Sequence, residues 1–205
     1  PYFCVVGLFV LIKLVKAGAL TLLINKNFFN KKINLTLKFF NLIFFRQNKE
    51  EIGKKLHNCL ISLGPGYIKF GQALSTRPDL VDKKICEYLK KLQDNIEPFS
   101  STIAKKIIEV ESQNLIENIF TFFDEKPIAN ASVAQVHTAY LKSGEKVAIK
   151  LLKPNIKKQL FKDFIFFYWI SKCLEIAIPN IKRLKLSKNV EVLSEVSLNE
   201  LDLTL

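Results

Sequence analysis

The sequence predicts an α+β protein: a helical first half, a small sheet region, and then helix again. Three observations carry this. Apolar residues recur at three- and four-residue spacing up to about residue 118, as in Ile33, Leu37, Phe40 and Phe44 and again in Ile52, Leu56, Leu60 and Leu63. From Ile119 the texture changes to alternating, β-branched residues on either side of a short polar turn. From Ile156 the helical spacing returns. With 205 residues, 49% of them hydrophobic, the chain can bury a sizeable core, as one compact domain or as a domain with a helical extension.

Residues 1–47 are expected to form a helical segment that lies against a membrane. No acidic residue occurs before Glu50, whereas Lys13, Lys16, Lys26, Lys31, Lys32, Lys38, Arg46 and Lys49 all do, so the net charge of +12 is unevenly spread. Such an end seeks an anionic surface. Phe28, Phe29, Phe39, Phe40, Phe44 and Phe45 make it far more apolar than an arm that tracks phosphates needs to be, which favours an anionic leaflet over nucleic acid. Tyr2 to Ile12 is an apolar run broken by Lys13 and Lys16, well short of the roughly 20 residues that span a bilayer, so contact without crossing is expected. The lysines follow the run and no cleavage site is present, unlike a secretory signal. The plainer alternative is that residues 1–46 are ordinary helices packed on the rest of the molecule. Cys4, Cys59, Cys86 and Cys173 are widely spaced and include no Cys-x-x-Cys pair, which points to no zinc site and no disulfide framework and fits a reducing compartment. No methionine is present and the chain opens on Pro1, so an excerpt of a longer product or a degraded frame is expected.

Pro65, Pro78 and Pro98 punctuate the next stretch into several short helices, and Ser100 and Ser101 precede the periodic run Ile103 to Val110 as helix N-caps do. Ser132 to Tyr140 and Lys146 to Leu152 then flank Lys142-Ser143-Gly144-Glu145 as a β-hairpin. Pro154 stops the second strand, and Ile156 to Ile176 and Asn189 to the end read as helix.

The second strand ends in Val147-Ala148-Ile149-Lys150. Alternation puts Val147 and Ile149 on one face and Ala148 and Lys150 on the other, so a small residue sits beside an ammonium that can reach nucleotide phosphates, with room for an adenine ring at Ala148. An ordinary protein kinase would precede this strand with a Gly-x-Gly-x-x-Gly loop, whose amides approach phosphates closely. No such loop occurs. His57 and His137 have no partners for metal or triad chemistry and read as a helix-surface and a strand residue respectively. Phe161, Phe164, Phe166, Phe167, Tyr168 and Trp169 read mainly as core.

What stands at the loop position, Ala129-Asn130-Ala131-Ser132-Val133-Ala134-Gln135-Val136-His137, is similar to the alanine-rich loop of the UbiB family of atypical kinase-like proteins of ubiquinone biosynthesis. Upstream, Leu63-Gly64-Pro65-Gly66-Tyr67-Ile68-Lys69-Phe70-Gly71-Gln72 and the following residues to Leu80 resemble that family's Lys-x-Gly-Gln signature nearly residue for residue. Downstream, Asn199-Glu200-Leu201-Asp202-Leu203 resembles its Glu-x-Asp motif, placed in a helix. The likeness runs from about Asn48 to the last residue. It implies a helical N-terminal extension followed by the small lobe of a protein-kinase-like fold, with the large lobe missing. Residues 48–118 would be the helical Lys-x-Gly-Gln extension and 119–205 the truncated lobe.

The resemblance further implies an ATPase or atypical kinase, with Ala129, Asn130, Ala131, Ser132, Val133, Ala134, Gln135, Val136, Ala148 and Lys150 around ATP. Lys69 and Gln72 would face Glu200 and Asp202 over the nucleotide site as catalytic candidates with Lys150. On a helix Lys69 and Gln72 share a face, and Gly71 lets another backbone approach; Glu200 and Asp202, two apart, do not share one. The acid that would hold Lys150, the catalytic-loop aspartate and the Mg2+ ligands are expected beyond Leu205, so the chain as given is not expected to transfer phosphate. The implied partners are ATP, an anionic membrane surface, and proteins or lipid precursors of ubiquinone synthesis, at the cytoplasmic face of a bacterial inner membrane. The alternative is a truncated, non-catalytic product of a disrupted gene with residual membrane or partner binding.

Overall fold

A computed structural model describes residues 2–19, 48–93 and 97–202. The helix expected around Ile33 to Phe44 lies outside the described residues. The helices are α1 (Tyr2–Lys16), α2 (Lys49–Leu63), α3 (Pro65–Ser75), α4 (Lys83–Lys90), α5 (Ser101–Ser112), the short α6 (Ile116–Ile119), α7 (Ile156–Ala177) and α8 (Leu186–Asn199). The strands are β1 (Phe120–Phe123), β2 (Ala129–Asn130), β3 (Ala134–Leu141) and β4 (Lys146–Leu152). Two 3-10 turns, Lys91–Gln93 and Pro179–Leu184, follow α4 and α7. The chain divides into two units, one drawn from Pro1–Leu92 and Lys157–Leu205 and the other from Gln93–Ile156.

The first unit is helical. Ile52, Leu56 and Leu60 recur at four-residue spacing, and α2 buries this stripe where it packs against α3 and α4. Gly64 ends α2 with φ at +112°, a conformation that side chains rarely adopt, and Pro65 then opens α3 at its first helical position, where a missing N–H costs nothing. The Asp82 side chain caps α4, accepting from the Lys84 amide at 3.1 Å. Its ion pair with Lys49 at 2.6 Å holds this carboxyl below the usual carboxylate range. Between α7 and α8, Glu175 accepts from both the amide and the hydroxyl of Ser187, at 2.9 and 3.0 Å, and so fixes the first turn of α8.

Helix α7 buries Leu160, Phe164, Phe166 and Phe167 but leaves Phe161 and Trp169 more than half exposed, so only part of the expected aromatic core is core. Helix α1 packs through Gly7, where a Cβ would stand 2.9 Å from the Phe166 ring, and through the buried Val10. Its other side exposes Phe9, Leu11 and Ile12, with the Lys13 ammonium 4.9 Å from the centre of the Phe9 ring. Among the described residues, no helix is long and apolar enough to cross a membrane.

The second unit is a four-stranded antiparallel sheet with a helix on one face. Ser100 caps α5, its hydroxyl accepting from the Ile103 amide at 3.4 Å. Strand β3 is central: β4 pairs along one edge, while β1 and β2 share the other. Gly144 turns the β3–β4 hairpin with φ at +87°. The register sets Gln135 opposite Leu151, His137 opposite Ile149 and Ala139 opposite Val147. These six share one face, and Ile149 and Leu151 pack there on Ala104 and Ile108 of α5.

The fold class is therefore as expected, a mixed helix and sheet protein, but the sheet has two strands more than the hairpin. The end of the chain also differs from expectation. Helix α8 stops at Asn199; Glu200 and Leu201 form a turn, and Asp202 lies beyond the helix. The expected helical placement of the Glu-x-Asp motif is thus corrected, because Glu200 is the cap of α8 and not part of its body.

Candidate functional site

The first cluster is in the helical unit. Lys69 projects from the middle of α3, only 14% exposed, and its ammonium is hydrogen-bonded and ion-paired to the Glu200 carboxylate at the end of α8. Gln72, one turn on, donates its amide to the Leu92 carbonyl at 3.2 Å. The two residues therefore lie on adjacent turns but serve different partners. Glycines hold this helix close to its neighbours: a Cβ on Gly71 would overlap the end of Leu92 and stand 2.6 Å from Leu60 Cδ1. Asp202 is exposed and follows the turn that carries Glu200.

Residues that sequence reasoning passed over support this helix from α7. Asp163 lies against the first turn of α3, where a Cβ on Gly66 would stand 2.5 Å from its Cβ and Oδ2, and that Oδ2 is buried with no hydrogen-bond partner. Burial pushes its carboxyl up to about 6, the nearby Gly66 amide acting in the opposite direction. Burial also pushes the neighbouring Tyr67 phenol up, with Asp163 and Cys59 adding to the effect. A raised carboxyl pKa means the folded state holds more protons than the unfolded one between about 4 and 6, so stability rises as the pH falls through that window and is lost as it rises through about 6. After discounting for solvent at this partly exposed group, the effect is about 1–2 kcal/mol. Urea titrations at pH 7.5 and pH 4.5 are expected to show Asp163→Asn more stable than the natural chain at the higher pH, with a clearly smaller difference at the lower.

The second cluster is in the sheet unit. Ala129 and Asn130 pair with Val136 and Gln135, so the alanine-rich segment is a tight β2–β3 reversal closed by the Ala131 amide bonding the Ala134 carbonyl at 2.8 Å. Ser132, Val133, Ala134 and Gln135 are buried. The Gln135 side chain turns into the unit and not outward: it accepts from the Phe99 amide at 3.1 Å, donates to the Phe99 carbonyl at 3.3 Å, and lies 2.8 Å from His137 Nε2. His137 Nδ1 sits 2.8 Å from the Asp124 carbonyl and must donate there, leaving Nε2 to accept from Gln135. The Phe123 ring stacks on the imidazole at 4.8 Å. His137 is structural, as expected, while His57 is half-buried and not a surface residue.

The opposite face of β3 and β4 carries Val136, Thr138, Ala148 and Lys150. Ala148 and Lys150 are exposed, and among the described residues Lys150 has no ion-pair partner. The Lys153 amide bonds the Val133 carbonyl at 2.9 Å, tying the end of β4 to the reversal, and burial pushes the Lys153 ammonium pKa down. Lys153 was not singled out by sequence reasoning; its place directly after the end of β4, three residues beyond the strand lysine, was the available signal. Chemically, an exposed ammonium beside a small residue suits a planar ring joined to an anionic group.

A strand pair carrying this lysine, entered through a tight reversal and backed by a helix, is the small-lobe arrangement of a kinase-like protein. Residues 91–205 match the ABC1 atypical kinase-like domain. The chain is 41% identical over 165 residues to the protein named "Probable protein kinase UbiB" of Aliivibrio fischeri, covering 78% of this chain and 30% of that one. The protein of the same name from Vibrio cholerae gives the same figures, and that of Shewanella loihica is 42% identical over 161 residues, covering 78% and 29%. The chain belongs to the ABC1 atypical kinase-like family, UbiB branch, and it spans about 30% of the length of the curated relatives it matches.

Proposed function

We propose that this chain is the nucleotide-binding front part of a UbiB-like atypical kinase or ATPase that supports ubiquinone biosynthesis at a membrane. The observation that carries the reading is the exposed Ala148–Lys150 face of β4, continuous with the alanine-rich reversal. ATP fits the donor chemistry there: Lys150 offers an ammonium to the phosphates, Ala148 leaves room for the base, and the reversal at Ala129 to Val136 offers backbone. Gln135 contributes only through its main chain, since its side chain is engaged inside the unit. Lys69, Gln72, Glu200 and Asp202 are the accompanying site residues. Among the described residues, no group of three His, Cys, Asp or Glu is gathered for a metal, so Mg2+ ligands are assigned to the part of the relatives this chain does not span. The exposed Phe9, Leu11 and Ile12 beside Lys13 and Lys16 support contact with an anionic leaflet, at the cytoplasmic face of a bacterial inner membrane. Ubiquinone-pathway proteins or lipid precursors are the proposed further partners.

Photolabelling with 8-azido-ATP followed by peptide mapping tests the nucleotide site. Label is expected within Ala129–Lys150, competed by ATP, and reduced about tenfold or more in Lys150→Ala, the weight of a lost charge-assisted contact. Label elsewhere, or undiminished labelling of the variant, overturns the assignment.

A further inference from the structure

We propose that α7 is a membrane-docking helix, and that its outward face, centred on Trp169, lies in the headgroup region of an anionic lipid leaflet. The inference deepens the membrane reading above, on which it rests for the class of partner, and places a contact on residues that reading does not use.

Helix α7 is apolar on two sides. One side belongs to the core of the helical unit: Leu160, Phe164 and Phe167 are buried, and the Phe167 ring meets those of Tyr67 and Phe70 at 4.8 and 4.9 Å. On the opposite side Phe161, Ile165, Trp169 and Ile176 are all exposed. At about 100° per residue these four fall within roughly 80° of the helix circumference, and from first to last they run along roughly 22 Å of its length. A continuous apolar stripe of this kind differs from singly scattered surface residues and marks an interaction site.

The charges around the stripe say what covers it. Lys158 and Lys172 lie within it, and Lys157 and Lys162 border it, all exposed. The two acids of α7 are elsewhere: Asp163 lies against Gly66 of α3, and Glu175 is taken up by Ser187. An apolar stripe with tryptophan at its middle and lysines along it suits a headgroup boundary, where lysine stems stay in the apolar layer while their ammonium groups meet phosphate. A second copy of the same stripe would bring like charges together with no acid to offset them. At 22 residues α7 has the length to cross a bilayer, but it is not apolar enough and its other side is committed to the core, so it lies along the surface. Helix α1 has no acid, exposes Phe9, Leu11 and Ile12, and meets α7 at Phe166 through Gly7, so two adjacent helices of one unit offer the same chemistry.

Trp169 is the one tryptophan of the chain, so its emission reports on this face alone. Vesicles of equimolar phosphatidylcholine and phosphatidylglycerol are expected to shift that emission to shorter wavelength, and bromine on the acyl chains to quench it. Ile165→Asp is expected to weaken vesicle binding about tenfold or more, the weight of one buried aliphatic side chain, and Lys172→Gln about fivefold. Where Ile165→Asp does not fold, Ile176→Asp takes its place, at a position 81% exposed. Unchanged binding in these variants overturns the proposal. A chain that floats with the vesicles while Trp169 keeps its aqueous emission is attached elsewhere, which overturns the proposal and leaves the membrane reading standing; a chain that does not float overturns both. A shift that grows with protein concentration in the absence of lipid assigns the stripe to a second copy and is equally fatal.

Discussion

Gln135→Leu is expected to lower the stability of the sheet unit by about 3 kcal/mol, read as a shift in the urea unfolding midpoint of the sheet signal at unchanged slope. The substitution keeps the bulk of the side chain and removes its polar end. It strands the Phe99 amide, the Phe99 carbonyl and His137 Nε2, all of which Gln135 satisfies in the natural chain. Gln135 and His137 are each 0% exposed, so water cannot take over these bonds without opening the unit. The prediction also separates two roles for the residue. A Gln135 whose side chain served mainly to contact nucleotide would lose binding on substitution with little change in stability. A loss below about 1 kcal/mol would show that the network is not what holds Phe99 to β3.

Gly71→Ala is the counterpart in the helical unit, with an expected cost of about 2–3 kcal/mol. The added methyl would lie against Leu92 and 2.6 Å from Leu60 Cδ1. Both leucines are nearly fully buried, at 1% and 3% exposure, so neither has space into which to withdraw, and α3 itself must shift. Lys69 and Gln72 move with it. Denaturant melts of the variant should show the loss, and Lys69 acylation should rise in the same sample. A variant as stable as the natural chain would mean the two leucines repack, leaving the glycine without a packing role.

The elements differ in how readily the sequence discloses them, and the reasons are physical. The β3–β4 hairpin is legible because Val147, Ile149 and Leu151 alternate with Ala148 and Lys150 and Gly144 marks the turn. Strand β1, Phe-Thr-Phe-Phe, has no clean alternation, and β2 is two residues long; both exist because β3 offers them an edge. Lys69 could be placed only through its resemblance to the family signature, since its partner Glu200 lies 131 residues away in sequence. Glu200 read as helical because the apolar spacing of α8 runs past its last turn, and helix ends are where pattern is weakest. Gln135 looked like a loop residue facing nucleotide; its inward turn follows from the register with Leu151, which no local signal reports. Asp163 sits in an aromatic run where a single acid reads as solvated, and its true setting depends on the glycines of a helix nearly a hundred residues earlier.

The division of the chain also has a consequence for how it comes to be folded. The sheet unit is continuous in sequence, Gln93–Ile156, whereas the helical unit needs Lys157–Leu205 to join what precedes Gln93. On the ribosome, α2, α3 and α4 therefore emerge early, with Gly64, Gly66 and the Tyr67 and Phe70 rings uncovered until α7 follows. The sheet can close in the interval, since its contacts are local, but the Lys69 helix waits for a segment made later and forms its partnerships across a long loop. The Lys69–Glu200 pair therefore cannot form until α8 has been made, whereas the sheet unit needs nothing beyond Ile156.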